Sequence, residues 1–208
     1  MRTLLITGAT GGLGSEVLPL LSREYDCVAM SRSGADGVKA DLGDPASVRA
    51  AVQSIAKPVY GLVHLAGGYA PGSIAETSDD TWSSMLALNL TGAFVAIRET
   101  LAVMDRGSAG RIVVIGSEAS LTKAPGSAAY TVSKSGLNAL IEIAAKELRG
   151  SKITANALLP SALDTPAMRG SMPPDKLVPL AKVGESLLFL LSDAASHISG
   201  ALIPLRPS

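Results

Sequence analysis

Charge and cysteine are both scarce in this chain. Of 208 residues only 17% are charged, and 18 Lys and Arg side chains balance 18 Asp and Glu. A protein that grips nucleic acid concentrates cations, so a formal net charge of zero argues against that class of partner. The single cysteine, Cys27, has no mate for an intrachain disulfide. Its apolar neighbours point to a buried, inert thiol in a reducing compartment. No apolar run approaches the roughly 20 residues of a membrane span. The apolar stretch Leu4 to Ile6 ends at glycines too soon for a signal peptide. A soluble, cytoplasmic protein is expected, with no membrane or nucleic-acid partner and no metal.

Apolar residues are plentiful at 47%. A chain of 208 residues suffices for one domain with a sizeable core and leaves little for a second, so residues 1–208 are read as one unit. Short leucine-rich or β-branched runs lie at Thr3 to Thr7, Cys27 to Met30, Val59 to Leu65, Arg111 to Gly116, Ile153 to Leu158 and Ala201 to Leu205. Between them, apolar residues recur at helical spacing over Ser15 to Glu24, Pro45 to Ala56, Ser78 to Met104, Ala128 to Arg149 and Lys182 to Leu191. Strands without polar alternation are buried on both faces. Their alternation with helices predicts an α/β fold, a Rossmann-type doubly wound parallel sheet with helices on both faces. Two connections are short. Ser31 to Val38 has no room for a crossover helix, so a loop is expected. Thr165 to Lys182 is rich in proline and methionine, and only partial helix is expected there.

Thr7 to Gly14 read T-G-A-T-G-G-L-G, after a strand and before a helix. Glycines in that context serve a tight turn, close approach of backbone to a pyrophosphate, and close packing of helix on sheet. Gly8, Thr10, Gly11, Gly12, Leu13 and Gly14 are the candidate cofactor contacts, with the free N–H groups of the next helix facing the phosphates. A carboxylate at the end of the second strand would bond the adenosine ribose and repel a 2′-phosphate. This chain has Ser31, Arg32 and Ser33 instead, a guanidinium with two hydroxyls that suits a phosphate. NADP(H) is the expected cofactor. NAD(H) is the alternative if Arg32 is only a solvated loop residue.

The proton chemistry falls later in the chain. Tyr130 and Lys134 stand four residues apart in a helical pattern, which puts both on one face. A phenol titrates near pH 10, too high for easy reversible transfer, and a neighbouring ammonium is expected to lower it. Ser117 ends R-I-V-V-I-G-S, where its hydroxyl can hold a substrate oxygen beside Tyr130.

The glycine turn, Asn89 in L-A-L-N-L-T-G, Ser117 and Y-T-V-S-K resemble, in kind and order, the short-chain dehydrogenase/reductase family over nearly the whole chain. The resemblance implies hydride transfer between NAD(P)(H) and a small carbonyl or alcohol substrate, with Asn89, Ser117, Tyr130 and Lys134 as the catalytic set. It gives Asn89 a relay water and Lys134 a bond to the nicotinamide ribose. It implies that Asp41, followed by Leu42, contacts the adenine amine, although Asp41 could instead cap the helix near Pro45. It also implies cofactor contacts at Ala66, Gly67, Pro160 and Thr165, and pairing of the two long helices into a homodimer or homotetramer. The chain departs from the family at His64-Leu65-Ala66-Gly67, where Asn-Asn-Ala-Gly is usual, and at Pro160-Ser161, where Pro-Gly is usual. His64 is read as a satisfied structural residue.

A-G-G-Y-A-P-G at Ala66 to Gly72, and Pro160, Leu163, Asp164, Thr165, Pro166, Arg169, Met172 and Pro173, resemble dihydropteridine reductase, so imine reduction is an alternative activity. Against it stand Ser117 and the absence of an acidic residue after the second strand. A non-catalytic NAD(P)-binding sensor is a further alternative that the intact Ser117, Tyr130 and Lys134 oppose. An epimerase or dehydratase would need a larger C-terminal substrate domain. Substrate shape is expected to be read by Gly67 to Ser73, Glu118 to Ser127 and Ser161 to Lys182, the last a short, open cover.

Overall fold

The computed structural model describes residues 1–34 and 37–207. Among these, seven strands form one sheet: β1 (Arg2–Thr7), β2 (Tyr25–Ser31), β3 (Gly37–Lys39), β4 (Val59–His64), β5 (Gly110–Ile115), β6 (Ile153–Pro160) and β7 (Leu202–Leu205). All pairs are parallel, in the order β3-β2-β1-β4-β5-β6-β7. The helices are α1 (Gly14–Leu21), α2 (Pro45–Gln53), α3 (Asp79–Leu86), α4 (Gly92–Val103), α5 (Ala119–Thr122), α6 (Ala128–Glu147), α7 (Pro166–Arg169) and α8 (Leu180–Leu191). The doubly wound α/β architecture read from the sequence is the one observed.

Consecutive apolar residues in each strand explain the layering, because alternate side chains enter opposite cores. Leu5, Leu62, Ile112, Val114 and Leu159 pack with Val48 of α2, Val95 and Ile97 of α4 and Leu137 and Ile141 of α6. Leu4, Ile6, Val63, Val113 and Leu158 pack on the other face with Val17 and Leu21 of α1 and Val183 and Leu187 of α8. Each fully buried side chain of this size contributes about 1.5–3 kcal/mol of apolar transfer free energy.

The long helical pattern at Ser78 to Met104 is interrupted. Ser78 caps α3 by accepting the Thr81 N–H, and a π-helical turn at Ala87–Thr91 joins α3 to α4. By length and composition alone the helix Asp79–Val103 would pass for a membrane span, although 44% of its most apolar stretch is buried in the fold. It packs on α6 and β4 as a core helix. Cys27 is half-buried rather than fully buried, and burial pushes its thiol up from the ordinary value, consistent with an unreactive group. Residues 32–36 join β2 to β3, though Ala35 and Asp36 of the expected loop lie outside the described residues. From Thr165 to Lys182 only α7, a 3-10 turn at Pro174–Lys176 and the start of α8 are helical. Leu177 and Val178 anchor that segment in the core, and most of the rest is exposed.

β1 and β4 are sheet neighbours whose onward connections lead to opposite sides, to β2 and to β5. A reversal of strand order of this kind places the expected ligand crevice beyond their carboxyl ends.

Candidate active site

β1 delivers Thr7 to that crevice, and the chain turns at Gly8 with φ +72°. A Cβ there would lie 2.5 Å from the Ala66 nitrogen, so neither the conformation nor the space admits a side chain. A Cβ on Gly14 would lie 2.2 Å from the Gly8 carbonyl oxygen, which shows how closely α1 is seated on the strand end. Gly12 instead faces outward, and the nearest group to its Cβ position is the Thr165 methyl at 3.6 Å. The turn, Ala66 after β4 and Thr165 after β6 are thus brought together. No side chain caps the first turn of α1, where the Ser15 and Glu16 N–H groups bond the Gly11 and Leu13 carbonyls at 2.9 and 3.2 Å.

Ser117 follows β5, and Tyr130 and Lys134 stand on α6. Ser117 and Lys134 are buried, and Tyr130 is partly so. The Ser117 Oγ accepts the Ala119 N–H at 3.2 Å. Burial raises the Tyr130 phenol above its usual range, and a side-chain hydrogen bond with Ser117 acts in the opposite direction. The expected lowering by Lys134 is not what the structure has. The Lys134 Nζ donates to the Ile115 carbonyl at 2.9 Å, and desolvation holds its own pKa at about 8. The ammonium is thereby tied to the end of β5.

Asn89 sits in the π-turn, the kind of helix irregularity that often marks functional positions. Its Oδ1 accepts the Gly68 N–H at 2.9 Å, and its Nδ2 donates to the Gly68 carbonyl at 3.0 Å and to the Ser133 Oγ at 3.0 Å. Ser133 in turn donates to the Tyr130 carbonyl at 2.7 Å. The side chain expected to hold a relay water is therefore committed to the loop after β4. Gly67 is wedged beside it, since a Cβ would lie 2.9 Å from the Asn89 Oδ1 and 3.1 Å from the Lys134 Nζ.

His64 is structural but only half satisfied. Its Nδ1 meets the Thr7 Oγ1 at 2.8 Å, while its buried Nε2 has no hydrogen-bond partner among the described residues. Burial, and secondarily the Lys134 charge, holds its pKa down at about 3, so the ring is neutral.

Of the outer cofactor candidates Arg32, Ser33 and Asp41 are exposed. Arg32 is solvated, and the Ser31 Oγ lies 3.2 Å from the Ser33 Oγ and accepts the Gly34 N–H at 3.1 Å. The Asp41 Oδ1 accepts the Gly43 N–H at 2.9 Å, and the cap of α2 is Asp44 rather than Asp41. Leu42 lies against Gly92 of α4. Pro160 is buried at the end of β6, where its carbonyl accepts the Glu118 N–H at 3.0 Å. In the segment that resembles dihydropteridine reductase, Arg169 Nε donates to Asp164 Oδ1 at 2.6 Å. Those two residues form a clip closing their own loop.

Two neighbours of the site lie in segments the sequence reading quoted but were not singled out there. Ser133 lies inside Y-T-V-S-K and links Asn89 to the Tyr130 backbone. Tyr69 lies edge-on to Tyr130, with ring centroids 5.1 Å apart and an interplanar angle of 75°. The signal for Tyr69 was its place in the Gly67 to Ser73 loop, in a chain with only 3% aromatics.

A family model described as short chain dehydrogenase matches residues 2–176. The chain is 29% identical over 224 residues to the 3-oxoacyl-(acyl-carrier-protein) reductase MabA of Mycobacterium bovis, spanning 98% of this chain and 91% of that protein. It is 30% identical over 187 residues to an NADPH-dependent aldehyde reductase-like protein, chloroplastic, of Arabidopsis thaliana, spanning 81% and 69% of the two chains. Among solved structures, an actinorhodin polyketide ketoreductase variant with NADPH superposes with a TM-score of 0.90 at 25% identity, over 99% of this chain and 96% of that one.

Proposed function

The chain belongs to the short-chain dehydrogenase/reductase family of oxidoreductases, and from that premise we propose that it interconverts a small carbonyl compound and its alcohol with NADP(H), using Tyr130 as the acid/base. The observation that carries this reading is the convergence, beyond the carboxyl end of β5, of Ser117, which follows that strand, with α6, which carries Tyr130 and, one turn on, Lys134 bonded to the Ile115 carbonyl of β5. When bound, the nicotinamide supplies or accepts the hydride. Every other part of the work falls to the chain.

Burial keeps the Tyr130 phenol protonated, which suits it to give its proton to an oxygen that gains charge during reduction. Ser117 holds the same oxygen, and its own position is fixed by the Ala119 N–H. Lys134, a buried cation held at the Ile115 carbonyl, would bond the nicotinamide ribose. Asn89 fixes the loop after β4 and, through Ser133, the helix turn that carries Tyr130. Gly8, Thr10, Gly11, Gly12, Leu13 and Gly14 cradle the pyrophosphate. Ala66, Gly67, Pro160 and Thr165 line the nicotinamide half, and Asp41 and Leu42 the adenine. Ser31, Arg32 and Ser33 hold the 2′-phosphate. The names of the plant relative and of the solved ketoreductase, both of which cite NADPH, support that cofactor.

The chain works as one domain in the cytoplasm. It assembles as a homodimer or homotetramer through the exposed Trp82, Phe94 and Val103 of the long helix and Val132 and Ile143 of α6. Tyr130→Phe tests the reading. Turnover falls about 100-fold or more while NADPH still binds; wild-type turnover in that variant refutes it.

A further inference from the structure

An exposed aromatic ring on a rigid backbone needs a reason. Tyr69 is 64% exposed, so core packing does not account for it. Its loop is nevertheless fastened on both sides. Gly68 is held through both its N–H and its carbonyl by Asn89. Gly72 donates to the Gly126 carbonyl at 2.8 Å and accepts the Ala128 N–H at 2.9 Å, immediately ahead of the turn that carries Tyr130. Pro71 stiffens the short span between these anchors. The ring that this span projects lies against Tyr130 at 75°. The two rings make a near-perpendicular corner. The other tyrosines, Tyr25 and Tyr60, stack on each other near the opposite, amino-terminal edge of the sheet.

We propose that Tyr69 is the specificity-determining wall of the substrate cleft and that the preferred substrates are flat, conjugated carbonyl compounds such as aryl ketones. This rests on the carbonyl-reductase reading above. A substrate oxygen that meets Ser117 and Tyr130 brings its body alongside the exposed Tyr69 ring that packs on Tyr130. A planar π-system fills such a corner with offset or edge-to-face ring contacts. A puckered aliphatic ring of the same size gains apolar contact alone. Because the Tyr69 backbone is already fixed, the contact costs little ordering on binding.

The test compares acetophenone with cyclohexyl methyl ketone, which share a carbon skeleton and differ in the flatness of the ring. Wild-type enzyme with NADPH is expected to favour the aryl ketone in kcat/KM. Tyr69→Leu is expected to lower that aryl-to-alicyclic ratio about tenfold, the upper range for an aromatic pair, mainly through KM for the aryl ketone. Tyr69→Phe is expected to keep the ratio. An equal loss on both ketones, carried by kcat, would make Tyr69 a buttress for Tyr130 and overturn the proposal, as would an unchanged ratio. Calorimetric titration of both ketones into the enzyme–NADP complex reads the same preference without turnover. Equal affinities there overturn the Tyr69 proposal, whereas an aryl preference that Tyr69→Leu removes supports it even if no ketone is reduced and the proposed function falls.

Discussion

Asn89→Leu separates two roles for one side chain. The family resemblance gives Asn89 a part in proton relay, while the structure shows it holding Gly68. Leucine has the same branched, four-heavy-atom outline as asparagine, with two methyl groups in place of the amide oxygen and nitrogen, so the substitution at this fully buried site chiefly removes polarity. Ser133 still donates to the Tyr130 carbonyl at 2.7 Å and remains satisfied. The cost therefore falls on the Gly68 N–H and carbonyl, bonded to Asn89 at 2.9 and 3.0 Å. A buried polar group left without a partner costs about 1–3 kcal/mol. Gly68 is only partly buried and can regain some hydration, so about 1–2 kcal/mol per group applies, or roughly 2–4 kcal/mol together. For a domain of this size each kcal/mol moves Tm by about 2–4 °C, giving a fall of roughly 4–16 °C. Scanning calorimetry reads the fall, and amide exchange over Tyr69 to Gly72 should quicken as the loop loses its anchor. A Tm drop below about 2 °C, with turnover lost, would refute this reasoning and leave Asn89 a chemical role alone.

The parts legible in the sequence are those whose physics repeats along the chain. Leu4 and Leu5 are adjacent and enter opposite cores, so an unbroken apolar run already declares a strand covered on both sides. Tyr130 and Lys134 are joined by helix geometry, and Gly8 and Gly14 by the turn between β1 and α1. What stayed hidden depends on contacts between distant segments or on backbone groups that every residue shares. The Ile115 carbonyl that receives Lys134 leaves no mark in the sequence, so the expectation that the ammonium acts directly on Tyr130 had nothing to oppose it. The π-turn at Ala87–Thr91 shifts the helix register within an apolar stretch that tolerates either register. The departure at His64 was visible, but its partner Thr7 lies on the adjacent strand, and nothing local distinguishes a paired ring from a half-paired one. Tyr69 meets Tyr130 only because Asn89 and Gly126 fasten its loop at both sides.

Arg32→Asp should weaken NADPH binding and spare or improve NADH binding, as read by fluorescence titration. Tighter binding of NADH than NADPH by the wild type would defeat the phosphate-cradle reading of Ser31, Arg32 and Ser33. Light scattering at micromolar concentration should show a dimer or tetramer, and a monomer would rule out association through Phe94 and Ile143. The last expectation concerns acid stability. His64 titrates at about 3 in the fold, against 6.5 for a free imidazole. Between those values the unfolded chain binds a proton that the native protein refuses. Its stabilising effect is complete above about pH 6.5 and is lost as pH falls toward 3, at about 1.4 kcal/mol per pH unit. From pH 6.5 to 5 that amounts to about 2 kcal/mol, or roughly 4–8 °C in Tm. His64→Asn removes the titrating ring, so its Tm should fall by that much less than the wild type's between pH 7 and pH 5. Parallel Tm curves would mean that the imidazole takes up its proton in the fold as readily as in water, and that the orphaned Nε2 is not shielded as the structure has it.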